Sequence, residues 1–173
     1  MTRMIHQRAA RGIFSTSQMA PQLKVTETQM GQAMVLVIED DPADFMLLER
    51  AFRRAEIPAQ IHWSENGLEA INFLRQLKDS SKPFPVLILS DLKMPLLDGF
   101  DVLKIIKADP LLRSIPIVVL TNSAQDSDVS KSYEFGANSY LVKPSAFDTL
   151  VEVSHALRNY WIKLNRTVTH SKD

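Results

Sequence analysis

Four short stretches of this chain each run into a side chain able to do chemistry. Val35-Leu36-Val37-Ile38 leads into Glu39-Asp40-Asp41, and Val86 to Ser90 ends at Asp91. Ile115 to Leu120 ends at Thr121, and Ser139 to Val142 ends at Lys143-Pro144. Carboxylates gathered in one place are costly unless a cation neutralises them. With no His or Cys beside them the donors are all oxygen, which suits a hard ion, Mg²⁺ rather than Zn²⁺. Mg²⁺ commonly takes one or two protein carboxylates and keeps waters for a phosphoryl group. A carboxylate can itself accept phosphate as an acyl phosphate. In that chemistry Lys143 would be a point charge against the phosphoryl oxygens, and Thr121 would donate a hydrogen bond to one of them. Positioning and charge neutralisation are what phosphoryl transfer mostly needs.

The elements that must position these residues alternate. The runs at Val35–Ile38, Val86–Ser90 and Ile115–Leu120 are apolar and rich in β-branched residues, as strands buried on both faces of a parallel sheet are. Ala59 to Ser64 and Ser139 to Val142 complete five strands. Asp41-Pro42 is an N-cap followed by proline at the first helical position, and Phe45, Leu48, Ala51 and Phe52 follow at helical spacing up to about Ala55. Asn66-Gly67 opens a second helix through Leu77, before a Ser- and Pro-containing loop from Lys78 to Pro85. Asp98-Gly99 opens a third, closed at Asp109-Pro110. Asp126 to Phe135 reads as a fourth, weaker helix with Gly136 as its C′ residue. Ala146 to Leu164 reads as one long final helix. Strands separated by helices of this length imply right-handed βαβ crossovers and a parallel sheet with helices on both faces. In such sheets ligands bind beyond the carboxyl ends of the strands, and all four polar termini fall on that edge. Taken singly each has a plainer reading: Asp40 and Asp41 as helix caps, Asp91 as a loop start, Thr121 as a strand terminus, Lys143 as a solvated lysine. Their convergence on one edge favours a joint role, because the interior strands otherwise lack polar residues.

Composition narrows the field. The chain has 173 residues, enough for one domain with a real core. Lys plus Arg and Asp plus Glu both number 20, so there is no basic excess of the kind a nucleic-acid binder carries. There is no cysteine, which excludes disulfides, thiolate metal sites and cysteine nucleophiles. No apolar run reaches the length of a membrane span, so a cytoplasmic protein with no membrane partner is expected. Residues 1–33 differ from the rest: Arg3, Arg8 and Arg11 appear and no acid precedes Glu27. The plain reading is a flexible extension ahead of a domain at 34–164, or a start placed too early; the alternative is an organelle transit peptide. Residues 165–173 read as a C-terminal tail.

These residues resemble response-regulator receiver domains of the chemotaxis CheY type. The resemblance is carried by Val35-Leu36-Val37-Ile38-Glu39-Asp40-Asp41, Leu89-Ser90-Asp91-Leu92-Lys93-Met94-Pro95 with Asp98-Gly99, Val119-Leu120-Thr121-Asn122-Ser123, and Gly136-Ala137-Asn138-Ser139-Tyr140-Leu141-Val142-Lys143-Pro144. It implies a flavodoxin-like α/β fold with a doubly wound five-stranded parallel sheet of order 2-1-3-4-5. It implies that Asp91 accepts phosphate from a histidine kinase. Glu39, Asp40, Asp91 and the Lys93 backbone carbonyl would then hold Mg²⁺, and Lys143 and Thr121 would contact phosphate. Thr121 and Tyr140 match the switch pair, and Lys143-Pro144 is expected to be a cis peptide. Glu39 stands where Asp is common and leaves a ligand carboxylate in place. Glu39-Asp40-Asp41-Pro42-Ala43-Asp44, Asp91-Leu92-Lys93-Met94-Pro95 and the Lys-Pro-containing insert near Lys82 carry a finer resemblance, to phytochrome-associated single-domain response regulators, which take phosphate from a light-sensing histidine kinase.

The signal is expected to leave by contact with a downstream protein or by phosphoryl relay. The last helix carries Tyr160 and Trp161 side by side, pointing to different faces, and a homodimer through that helix and the fifth-strand face is expected. Arg50, Arg53 and Arg54 form either a kinase-docking patch or a solvated helix face. His6, His62, His155 and His170 show no ligand spacing. Two other functions compete. An aspartyl-phosphate phosphatase would need a second acid two residues beyond the nucleophile, where Lys93 stands. A pseudo-receiver that binds a partner without phosphorylation would not need Asp91, Thr121 and Lys143 intact. A dinucleotide-binding fold is disfavoured, since no Gly-rich turn follows the first strand.

Overall fold

The computed structural model describes residues 33–80 and 82–166. The expected extension at 1–33 and the tail at 165–173 thus fall almost wholly outside the described residues. Five strands alternate with five α-helices: β1 Met34–Ile38, α1 Pro42–Arg54, β2 Gln60–Ser64, α2 Gly67–Asp79, β3 Leu87–Ser90, α3 Gly99–Ala108, β4 Ile117–Thr121, α4 Asp126–Glu134, β5 Ser139–Val142 and α5 Phe147–Leu157. All neighbouring strands are parallel, in the order β2-β1-β3-β4-β5. This is the expected doubly wound sheet.

Its apolar runs follow from burial on both faces. Successive side chains alternate across the sheet. Val35, Val37, Leu87, Leu89, Val118 and Leu120 therefore face one way, onto Leu48, Ala51 and Phe52 of α1 and Leu150 and Leu157 of α5. Leu36, Ile38, Ile88, Ile117 and Val119 face the other way, onto α2 and α3. Truncating a side chain such as Ile88, which is fully buried, would cost about 2–5 kcal/mol. The helix starts expected from sequence are all present. Asp41 accepts from Ala43 N (2.8 Å), Asn66 from Glu69 N (2.9 Å) and Asp98 from Asp101 N (2.9 Å).

Three boundaries differ from expectation by more than one residue, two of them for a non-local reason. Helix α2 runs on to Asp79, past the expected loop start at Lys78; the Lys78 ammonium pairs with Asp109, 2.7 Å away and 31 residues on. Strand β4 begins at Ile117, since Pro116 has no N–H and Ile115 N is turned back to the Leu112 carbonyl (2.9 Å). The final helix is α-helical only to Leu157 and continues as π-helical winding over Arg158–Leu164. The wider turn swings Ile162 onto the α1 side of the core beside Trp161, while Tyr160 and Leu164 are left exposed. Leu164 would have faced inward had the α-helical period continued.

Gly99 sets the distance between α3 and β3. A Cβ there would collide with the Asp91 carbonyl oxygen and stand 2.8 Å from Leu92 Cα, both backbone atoms that cannot rotate away. Gly99→Ala should therefore lower stability by about 2 kcal/mol, read as a fall in urea midpoint. An unchanged midpoint would mean that α3 can lift off without cost.

Candidate functional site

The carboxyl edge of the sheet assembles the expected residues. Glu39 follows β1 and is buried; its N–H donates to the Ser64 carbonyl (3.1 Å), and its own carbonyl accepts from Trp63 Nε1 (2.8 Å). Trp63 is in turn stacked on Phe45 of α1, ring centroids 4.4 Å apart. Asp91 follows β3 and is 7% exposed, with its N–H bonded to the Ile38 carbonyl (3.0 Å). Its Oδ1 also accepts from the Leu92 N–H. Thr121 ends β4 and is buried, and its carbonyl accepts from Lys143 N (2.8 Å), which fixes the start of the lysine beyond β5. An open cleft of about 350 Å³ lies over these residues.

Lys143 is the electrostatic centre. Its ammonium lies 2.6 Å from Glu39 Oε2, 2.8 Å from Asp44 Oδ2 and 2.9 Å from Asp91 Oδ2. Burial alone would lower the lysine pKa; the hydrogen bonds it donates to Asp44, Glu39 and Asp91 overcome it and hold the ammonium above its ordinary value. Burial pushes Glu39 up to about 7, against the pull of Lys143, and the Asp91 charge adds to the rise.

The oxygens of Glu39, Asp40 and Asp91 can lie within 4.8 Å of one another. Two of these groups are buried and one is exposed, so an ion there would have protein on one side and solvent on the other. An all-oxygen set with an open side fits Mg²⁺. Lys93 lines the same cleft. Tyr140 is half-buried against the α3 side of the core, its hydroxyl donating to the Ser123 carbonyl (3.0 Å). Thr121 Oγ1 faces the Ser123 N–H at 3.5 Å, so both members of the expected switch pair meet one loop residue. Ser123 Oγ also donates to Asp128 of α4 (2.6 Å).

One expectation is corrected. Among the described residues no peptide bond is cis, so Lys143–Pro144 is trans. Trans is the ordinary preference of an X–Pro bond by about 0.5–1 kcal/mol, and Lys143 reaches all three carboxylates without leaving it. Sequence reasoning missed Asp44. An acid in the first turn of a capped helix reads as a helix-dipole residue, and nothing in its spacing points to a partner 99 residues away. Trp63 was missed too; the only available signal was an aromatic on a short strand. The α1 arginines are partly engaged, Arg50 over the Phe147 ring and Arg53 with Glu49 (2.7 Å).

The Response regulator receiver domain family matches residues 35–155. The chain belongs to that family. This receiver is 38% identical over 134 residues to the probable methanogenesis regulatory protein FilR2 of Methanothrix harundinacea, covering 78% of the chain and 86% of the relative. It is 36% identical over 131 residues to response regulator Rcp1 of Synechocystis sp., covering 75% and 89%. The Mn²⁺-bound crystal structure of Rcp1 superposes with a TM-score of 0.70 over 79% of this chain and 99% of that one, at 34% identity. The phosphorylated cyanobacterial phytochrome response regulator RcpA matches with a TM-score of 0.71 at 32% identity, over 79% and 98%. A CheY-like receiver of two-component signalling is thus shown by sequence and fold together.

The raised pKa of Glu39 has a stability consequence. Its folded value, about 7, lies above the ordinary 4.5, so between these the native state holds the extra proton. The stability this contributes is complete below pH 4.5 and is lost as pH rises through about 7, by up to about 3 kcal/mol. Metal-free protein should lose stability across that window relative to Glu39→Gln in urea unfolding. Parallel curves for the two proteins would contradict the assignment.

Proposed function

We propose that Asp91 is the phosphoacceptor of a single-domain response regulator, charged by the phosphohistidine of a histidine kinase. The observation that carries this reading is the meeting, at one sheet edge, of two further carboxylates, Glu39 and Asp40, and one ammonium around the Asp91 carboxylate. Glu39, Asp40, Asp91 and the Lys93 carbonyl would hold Mg²⁺. The bound ion supplies positive charge to the phosphoryl oxygens. An Asp91 carboxylate oxygen forms the new bond to phosphorus as the donor's phosphorus–nitrogen bond breaks. The electron pair stays on the imidazole nitrogen, which takes up a proton. Lys143 moves from carboxylates to phosphoryl oxygens, and Thr121 donates its hydroxyl to one of them. With the Thr121 hydroxyl drawn toward phosphate, the Ser123 loop and Tyr140 bonded to it have reason to rearrange, a population shift biased by the new charge. The chemistry is confined to the protein's own Asp91, so it is not an enzyme acting on a separate substrate.

A phytochrome-type kinase as donor is supported by the likeness to RcpA, itself described as a phytochrome response regulator. Cytoplasmic location goes with that donor; among the described residues no helix is long and apolar enough to cross a membrane. Output through protein contact is supported by the exposed Tyr133, Val142, Tyr160 and Leu164 on α4, β5 and the final turns. A homodimer through the last helix and β5 would cover part of that surface. Intact Asp91, Thr121 and Lys143 weigh against a pseudo-receiver.

Beryllofluoride, a phosphoryl mimic, should bind in the presence of Mg²⁺ and change the fluorescence of Trp63, which is bonded to Glu39. Binding should vanish in Asp91→Asn with the fold intact by circular dichroism. Equal binding by that variant would overturn the assignment of Asp91.

A further inference from the structure

Among the described residues, Asp44 is the one carboxylate on Lys143 that lies outside the oxygen cluster. The Lys143 ammonium donates to Asp44 and Asp91 and lies at ion-pair distance (2.6 Å) from Glu39. Glu39 and Asp91 also belong to the oxygen cluster that fits a divalent ion, whereas Asp44 does not. The same two carboxylates cannot neutralise an ion and the ammonium at full strength. When Glu39 and Asp91 turn to an ion, Lys143 is left with Asp44. The Asp44 side chain is 34% exposed, on the first turn of α1, where the helix N-terminus favours its negative charge.

Resting on the reading of the site given above, we infer that Asp44 is a positioning residue. It holds Lys143 in the metal-loaded, unphosphorylated receiver and so sets how readily the lysine crosses to a phosphoryl group.

The inference has a signature that simple structural support lacks. Without Asp44 the metal-free site loses one of three ion pairs, while the metal-loaded site loses the only one left to Lys143. Mg²⁺ affinity should fall. In the phosphoryl-mimic state Lys143 has the phosphoryl oxygens instead, so loss of Asp44 matters little there. The step from the metal-loaded to the mimic-bound state should therefore become more favourable.

The test is calorimetric titration of the full chain, first with Mg²⁺ and then with beryllofluoride at saturating Mg²⁺. Asp44→Asn should weaken Mg²⁺ binding about fivefold and tighten beryllofluoride binding by a similar factor. Asp44→Glu, which keeps the charge, should restore both toward wild type. Asp41→Asn removes a neighbouring cleft carboxylate while keeping a side chain that can cap α1, and it should not tighten beryllofluoride binding. The inference is overturned if both affinities fall together in Asp44→Asn, if neither changes, or if Asp41→Asn reproduces the pattern. Failure of the wild type to bind Mg²⁺ and beryllofluoride would instead overturn the reading of the whole site.

Discussion

A buried ammonium shared among three carboxylates is the interaction on which the site turns. Glu39 and Asp91 are nearly sealed from water, and once Glu39 ionises two such charges side by side need a cation within contact distance. Lys143 supplies it, at 2.6 to 2.9 Å from each of its three partners. On the proposed reading, a divalent ion would compete for the carboxylates and a phosphoryl group for the lysine, so both would act on the same contacts. The device that neutralises the site would then also be the part that responds.

The scaffold holds those contacts in register from several sides. Parallel pairing sets β1, β3, β4 and β5 next to one another with their carboxyl ends on one edge. Trp63 grips the Glu39 carbonyl from β2 and leans on α1 through Phe45, so the first acidic residue is fixed by three elements. Gly99 lets α3 begin in contact with the Asp91 backbone, and its N–H closes onto the Leu92 carbonyl (2.9 Å). Ser123 then connects the end of β4 both to α4, through Asp128, and to Tyr140 on β5. A charge change at Asp91 thus has short routes, through Lys143 and through Thr121, to the β5 side of the molecule.

The elements were legible where one local rule governed them. The apolar runs of β1 and β3 suit strands covered on both faces, and Asp41-Pro42, Asn66 and Asp98 announced their helices by capping chemistry. The residues at the strand ends were legible because polar side chains have few other reasons to interrupt such runs. What failed depended on partners remote in sequence. The last turn of α2 relies on Asp109, and the π-helical winding after Leu157 adds Ile162 to a core that α1 completes. Asp44 resembled an ordinary first-turn acid because its reason for being there is Lys143. The trans Lys143–Pro144 bond departs from what the family resemblance implied, and no residue pattern in the chain had independently called for cis.

The claim that joins these parts is that Asp91 takes a phosphoryl group in a metal-dependent way. Incubation with acetyl phosphate and Mg²⁺, followed by trapping of acyl phosphate with borohydride and peptide mapping, addresses it directly. The account predicts modification at Asp91 alone, lost when the metal is chelated. Modification at another residue, or modification of Asp91 that persists under chelation, would contradict it.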